Sequence, residues 1–307
     1  MGLTQKLLEN HSIKDVKQID YFDIRYYKIL YEQNKQLIEE YFPSVTEILG
    51  AYPHDWLARW RGDVGNERAD QIMFDAQNKG SFIHYGAELL AKGGIVIYQS
   101  LQKPTFSDKE IDDLAKKYPA GVCICRRQAE YIQIYRIAQY FNVVKPIKIE
   151  TEQTVYSVKH KYAGTLDLLH WINEGEYEIA GTQPLYLESG YYVGDYKTGK
   201  EIGSTYKMQI AAYMEAVMEG IPDMRTQLRG GLILHPNNER VKNGIQGFKA
   251  TLVDRADGEM YFDHFMKTYA VYQIDKPVPK PTEYKMPAIL VYEQPTAKAV
   301  TKRKAKG

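Results

Sequence analysis

The feature that most constrains this chain is a change of periodicity near Pro146. Before it, the chain reads as a series of helices, the first with apolar residues at mixed spacing; after it come "IKIETEQTVYS", "YAGTLDLLHWI" and "YYVGDYK", then "GGLILH" and "GIQGFKATLV". These β-rich runs are separated by Gly-, Asn- and Lys-containing turns. Between the two groups lies "STYKMQIAAYMEAVMEG", helical by its Ala, Met and Glu content and ended by Gly220-Ile221-Pro222. "DGEMYFDHFMKTYAVYQI" makes a closing helix. The order of helices, three strands, helix, two strands and helix predicts an α/β (α+β) fold with a mixed central sheet flanked by helices.

Ahead of Pro146 the reading is a helical N-terminal half. "QIDYFDIRYYKILYEQNKQLIEEYF" reads as helix up to Pro43, and "PSVTEILGAY" restarts one, with Ser44 as N-cap and Glu47 in the capping-box position. Trp56 and Trp60 follow at i, i+4 on one helical face and read as core. Helices are expected over about residues 67–92 and over "RRQAEYIQIYRIAQYFNVV", where Ala129, Ile132, Ile137 and Ala138 are candidates for a buried stripe. Residues 1–145 therefore form a helical part, 146–275 the strand-rich core packed with it, and 276–307 a flexible Pro-rich basic tail.

Composition sets the class. With 44% hydrophobic and 26% charged residues among 307, the chain can bury a sizeable core, and it has no signal-peptide pattern and no apolar run of membrane-spanning length. Two cysteines, Cys123 and Cys125, provide no disulfide framework and cannot alone ligate a structural zinc or an iron–sulfur cluster. A reducing, cytoplasmic setting without membrane association follows. Net charge is +1, yet the last ten residues carry five Lys or Arg and no acid, so the rest is net acidic and a polyanion must meet a local basic patch. The basic tail itself is either a solubility device or a weak tether to nucleic acid.

Chemistry concentrates in "GYYVGDYKTGK". On a strand, Asp195 and Lys197 project to one face while Tyr196 points to the core. The preceding strand supplies Asp167 in "AGTLDLL", where Gly164 permits close packing and the acid sits among leucines. Such an acid is costly unless paired or bound to a cation. If Asp167 lies beside Asp195, a divalent metal relieves their repulsion, and oxygen ligands suit Mg²⁺ or Mn²⁺. Lys197 then supplies a point charge for phosphate and for metal-bound water. A solvated ion pair is the plain alternative for D-x-K on a strand.

In this context the sequence resembles the RecB-like branch of the PD-(D/E)XK nucleases, of the phage-encoded and mitochondrial genome-maintenance exonuclease type. The pattern stands here, in order, as Gly80 to His84, Glu152 in "ETEQTVYS", Gly164 to Asp167, Asp195 to Gly199 and Gln209 to Tyr213. With the upstream "PSVTEIL" and "WRGDVGNERAD", the resemblance covers roughly residues 42 to 272. Leu166 stands where many members have proline, and the link between Asp167 and Asp195 is long, which predicts an extended hairpin. The four-cysteine cluster of some relatives is missing, so no iron–sulfur cofactor is expected.

The resemblance implies a restriction-endonuclease-like core and a metal-dependent deoxyribonuclease, with an exonuclease of DNA replication, recombination or repair as the first expectation. It implies that His84, Asp167, Asp195 and the Tyr196 backbone carbonyl bind Mg²⁺ or Mn²⁺. Lys197, Glu152 and Gln209 are expected in catalysis, although Glu150 shares the parity of Glu152 and either acid can be a plain salt-bridge partner. Tyr213, Thr198, Trp60, Arg61 and Ser44 are expected near nucleic acid, with helix packing, core burial and simple capping as the structural alternatives for Tyr213, Trp60 and Ser44. DNA, single-stranded or as duplex ends, is the implied partner, with a single-strand-binding or recombination protein as a second. For a phage-encoded chain the compartment is the bacterial host cytoplasm. A structure-specific endonuclease, or a non-catalytic DNA-binding or assembly protein on the same fold, remains open.

Overall fold

The computed structural model describes residues 13–21, 24–179, 184–199, 203–238 and 247–275. A five-stranded mixed sheet organises the chain. Its strands are β6 (Ile147–Ser157), β7 (Tyr162–Ile172), β10 (Gly190–Tyr196), β11 (Leu228–Asn238) and β12 (Gly247–Asp254), in the spatial order β12-β11-β10-β7-β6. Only β10 and β11 run parallel; α6 (Ser204–Gly220) and the one-turn α7 (Met224–Gln227) form the crossover between them. The other pairs are antiparallel. Burial on both faces explains why these strands read as near-continuous apolar runs. One core joins Val193, Ile233 and Val253 to α6 and to α8 (Arg255–Asp275). The other joins Tyr192, Tyr196, Leu232 and Leu234 to α3 (Asn66–Ala91) and α5 (Gln128–Val144).

The mixed α/β class, the strands after Pro146 and the helices at 66–91, 128–144, 204–220 and 255–275 match the expectations from sequence. The link between Asp167 and Asp195 is an extended hairpin: β7 pairs with β10, and the small pair β8 (Gly175–Tyr177) and β9 (Leu185–Leu187) caps it. The expected tail at 276–307 lies outside the described residues. Among the described residues, no helix is long and apolar enough to cross a membrane.

The helical N-terminal half is corrected. In place of the first expected helix stands an antiparallel three-stranded sheet of β1 (Ile13–Tyr21), β2 (Ile24–Gln33) and β3 (Gln36–Pro43). Its aromatic and β-branched content favours a pleated, half-buried surface, and Tyr27, Ile29 and Tyr31 alternate into the core as strand residues do. Asn34 and Lys35 both adopt positive φ, 52° and 65°, between the paired Gln33 and Gln36. A two-residue loop with both residues left-handed matches the twist of a hairpin. This sheet lies against β7, where the Tyr27 hydroxyl meets Thr165 Oγ1 at 2.9 Å.

Smaller corrections follow from the same packing. α1 is a short helix at Val45–Leu49, and α2 spans Asp55–Val64 without burying any residue. Trp56 is therefore exposed and Trp60 half-buried, not core. On α5 the buried stripe runs through Ile134, Ile137, Tyr140 and Val144, while Ala129 is exposed. The cysteines lie buried on β5 (Val122–Cys125), which pairs with β4 (Ile95–Tyr98), and α4 (Asp108–Lys117) packs beside β5.

Candidate metal and phosphate site

The site forms where β7 and β10 part. Their backbone pairing ends at Gly194 opposite Leu168, and Asp167 Oδ2 then accepts the Tyr196 N–H at 2.7 Å. A side chain thus takes the donor that the next ladder bond would have used. The opposite edge of β10 stays paired, with the Lys197 N–H donating to Leu234 O at 2.9 Å. This leaves the ends of β7 and β10 fixed but open to a cavity of about 570 Å³.

Three elements bring ligand atoms to that opening. His84 projects from α3, Glu152 from β6 and Asp167 from β7, and one ligand atom of each lies within 4.8 Å of the others. His84 Nδ1 stands 3.4 Å from Asp167 Oδ2, and its ring meets the Tyr196 ring edge-on at 5.6 Å. Tyr196 itself is buried in the core below, as alternation along the strand requires. Glu152 has a φ of +50°, rare for a residue with a Cβ, and it sits between the pairs Thr151 with Leu168 and Gln153 with Leu166, across from Asp167. Glu150 does not line the cavity, so the structure distinguishes the two acids that parity could not.

Asp195 and Lys197 form a second group. Lys197 Nζ lies 2.7 Å from Asp195 Oδ2 and donates to Gln209 Oε1 at 2.9 Å, while Gln209 Nε2 donates to Asp195 Oδ1 at 3.1 Å. The same amide approaches the Tyr213 hydroxyl at 3.1 Å, and Lys197 Nζ sits 4.8 Å from the centre of the Tyr206 ring. Here the structure combines two alternatives: the strand pair is an ion pair, but one with Asp195 buried and both partners tied into a network. Asp195 is turned to this network and stands outside the tight cluster of His84, Glu152 and Asp167.

Electrostatics follow from crowding. Burial, with the Asp167 charge added, pushes the Glu152 carboxyl up to about 7. Burial likewise raises Asp195 to about 6, against the pull of Lys197. For Asp167, burial also opposes ionisation, but the facing His84 ring outweighs it and holds the carboxyl below its usual range. Burial opposes protonation of His84, and Asp167 outweighs that and raises it. Lys197 is raised in the same way: burial disfavours its charge, and Asp195 and Asp167 more than restore it. One imidazole and two carboxylates at such short range, with Asp167 held ionised and Glu152 raised toward neutrality, are a donor set that fits a divalent cation.

Two glycines position the helices. A Cβ at Gly164 would lie 2.6 Å from Tyr213 Cε1, so glycine lets α6 close on β7. A Cβ at Gly80 would come within 3.2 Å of Thr198 Oγ1, so α3 meets the end of β10 at this point. Ser44 lines the cavity and accepts the Glu47 N–H at 3.1 Å. The full capping box is corrected: the Ser44 N–H donates to Arg25 O, which takes the place of the reciprocal bond. Thr198, Gln209 and Tyr213 line the cavity too. Trp60 and Arg61 do not; Arg61 of α2 pairs with Asp70 of α3 at 2.7 Å.

Sequence reasoning missed Arg25 and Tyr27 on β2, Thr165 on β7, and Gln77, Ser81 and Tyr85 on α3, all of which line the cavity. The first two were hidden by reading β2 as a helix. The α3 residues were readable from the spacing of Gln77, Ser81, His84 and Glu88, which share one helical face. Comparisons with known families and with curated proteins find no match to this chain.

Proposed function

We propose that the chain is a metal-dependent deoxyribonuclease of the RecB-like PD-(D/E)XK type, and that the cavity is its active site. The observation that carries this reading is the pairing of two groups across the parted ends of β7 and β10. A His84–Glu152–Asp167 cluster fits a divalent cation, and a half-buried lysine stands beside it on Asp195 and Gln209. The five-stranded order, with one parallel pair bridged by α6, accords with a restriction-endonuclease-like core.

Mg²⁺ or Mn²⁺ held by His84, Asp167 and Glu152, with Asp195 at its edge, would supply Lewis acidity and a lowered water pKa. The chain's own contributions are separate. The Tyr196 N–H fixes Asp167 through Oδ2, the oxygen that faces His84 Nδ1. The Tyr196 carbonyl stays a proposed ligand from the resemblance alone. Lys197 remains an ammonium because its pKa is raised, so it acts as a fixed positive charge against the phosphate. It does not serve as a proton acceptor. Gln209 bridges Lys197 and Asp195 and keeps that charge aimed. Thr198 and Tyr213 define the wall that a sugar–phosphate strand would face.

Exonucleolytic attack on DNA is the activity proposed. Calorimetric titration with Mn²⁺ tests the metal site: wild type binds and Asp167→Asn loses most of that affinity. No binding by wild type would favour a non-catalytic DNA-binding or assembly protein. Products from linear and circular DNA then separate the modes, since cleavage of circles identifies an endonuclease.

A further inference from the structure

The strand that carries Asp195 and Lys197 is ended from across the sheet. β10 runs parallel to β11, with Asp195 opposite Ile233 and Tyr196 opposite Leu234, and the Lys197 N–H donates to Leu234 O at 2.9 Å. A residue in a parallel ladder takes its second bond from the N–H two positions further along its neighbour. For Lys197 that position is Pro236, which has no N–H to give, so the ladder stops at the cavity. The chain beyond needs another donor. His235 supplies it, with its Nε2 in hydrogen-bond contact with Gly199 O. Two residues beyond Ile233, His235 projects to the sheet face that carries Asp195 and Lys197, and it is only 2% exposed. Arg136 of α5 donates to Pro236 O at 2.6 Å, so the strand end that presents His235 is itself held.

We propose that His235 is a positioning residue for the hydrolysis: by donating its Nε2 proton to Gly199 O it sets the turn that leaves β10, and so fixes Lys197 and Thr198 against the cavity. The proposal rests on the nuclease reading for the reaction that it serves. A carbonyl only accepts, so the imidazole must carry a proton on Nε2. Gly199 has no side chain to hold, which makes its carbonyl the handle on the turn. Thr198, one residue earlier, lies against α3, where a Cβ at Gly80 would come within 3.2 Å of Thr198 Oγ1. A shift of the turn therefore moves Thr198 along α3 and draws Lys197 away from Gln209. His84, Glu152 and Asp167 stand on α3, β6 and β7 and keep their places. The expected signature is a loss of rate without a loss of cation.

The test compares wild type, His235→Leu and His235→Gln in the full chain. Leucine keeps most of the buried volume without a donor, and glutamine brings an amide N–H to a similar reach. In single-turnover DNA hydrolysis with Mn²⁺, His235→Leu should be slower by up to about 10²-fold, the cost of displacing a reacting group by roughly 1 Å. His235→Gln should recover most of that rate, and calorimetric Mn²⁺ affinity should be the same in all three. Spectra of ¹⁵N-histidine-labelled wild type give a readout independent of activity: His235 should hold on Nε2 a proton that exchanges slowly with solvent. If wild type cuts DNA and His235→Leu cuts as fast, the positioning role is wrong and the nuclease reading stands. If His235→Gln is as slow as His235→Leu, or Mn²⁺ affinity falls along with the rate, His235 only supports the sheet and the proposal is overturned. A bare Nε2 overturns it as well. If wild type cuts nothing, the nuclease reading fails, while a protected Nε2 proton with faster amide exchange at residues 197–199 in His235→Leu upholds the hold on the turn.

Discussion

Lys197 is the residue on which the chemistry turns. It is half-buried, kept charged by Asp195 at 2.7 Å and aimed by Gln209 at 2.9 Å. Lys197→Ala should lower the single-turnover rate of DNA hydrolysis by about 10²–10³-fold, the range for removing one group that stabilises transition-state charge. Metal binding should change far less, because His84, Glu152 and Asp167 remain. The acids make a distinct prediction. Glu152 and Asp195 ionise near 7 and 6, so protons compete with the cation. Mn²⁺ affinity should rise as pH increases from 6 to 8, and Glu152→Gln should remove the upper part of that rise in calorimetric titrations. Most of these residues were readable in the sequence, since a D-x-K alternation and ordered motifs survive without knowledge of contacts. The ion pair inside the network was not, because side-chain direction at the end of a strand depends on what lies across it.

Elements place those residues through close approach. Gly164 lets α6 reach β7, and its replacement by alanine would drive a Cβ into the Tyr213 ring at 2.6 Å. Gly164→Ala should destabilise the protein by about 1–3 kcal/mol in chemical denaturation, as overpacking of a tight core contact does. Gln209 lies on the helix face that carries Tyr213, so the same variant should also slow catalysis. Strands and helices after Pro146 were legible because their period was unambiguous and their ends carried turn residues. The β1–β3 sheet was not, because tyrosines and isoleucines at mixed spacing suit either structure when read locally. Its turn signal was the Asn34-Lys35 pair, which lacks the glycine that usually marks such a loop. The consequence reached the site, since Arg25 and Tyr27 form a wall of the cavity.

At the scale of the whole molecule, the sheet is buried on both faces, and the face under α3 and α5 contains a titratable pair. His170 and Tyr140 are fully buried, with Tyr140 Oη 2.6 Å from His170 Nε2. Burial lowers the His170 pKa to about 3. The unfolded chain takes up a proton near pH 6.5 that the folded chain refuses, so the contribution of His170 to stability should fall as pH drops below about 6.5 and continue falling toward 3, opposite in sign to the contributions of Glu152 and Asp195. The slope for one such group approaches about 1.4 kcal/mol per pH unit. Urea titrations from pH 7 to 5 should show that extra slope in wild type and lose it in His170→Phe if the variant folds. Function also belongs to this scale, because β2, α3, β6, β7, β10 and α6 all contribute to one cavity. The central claim is that this assembly hydrolyses DNA with a divalent cation. Its most direct test is the release of labelled nucleotides from end-labelled linear DNA by wild type and Lys197→Ala, each with Mn²⁺ and with chelator. The account predicts release by wild type with Mn²⁺ alone. Equal release by Lys197→Ala, or release that persists in chelator, would contradict it.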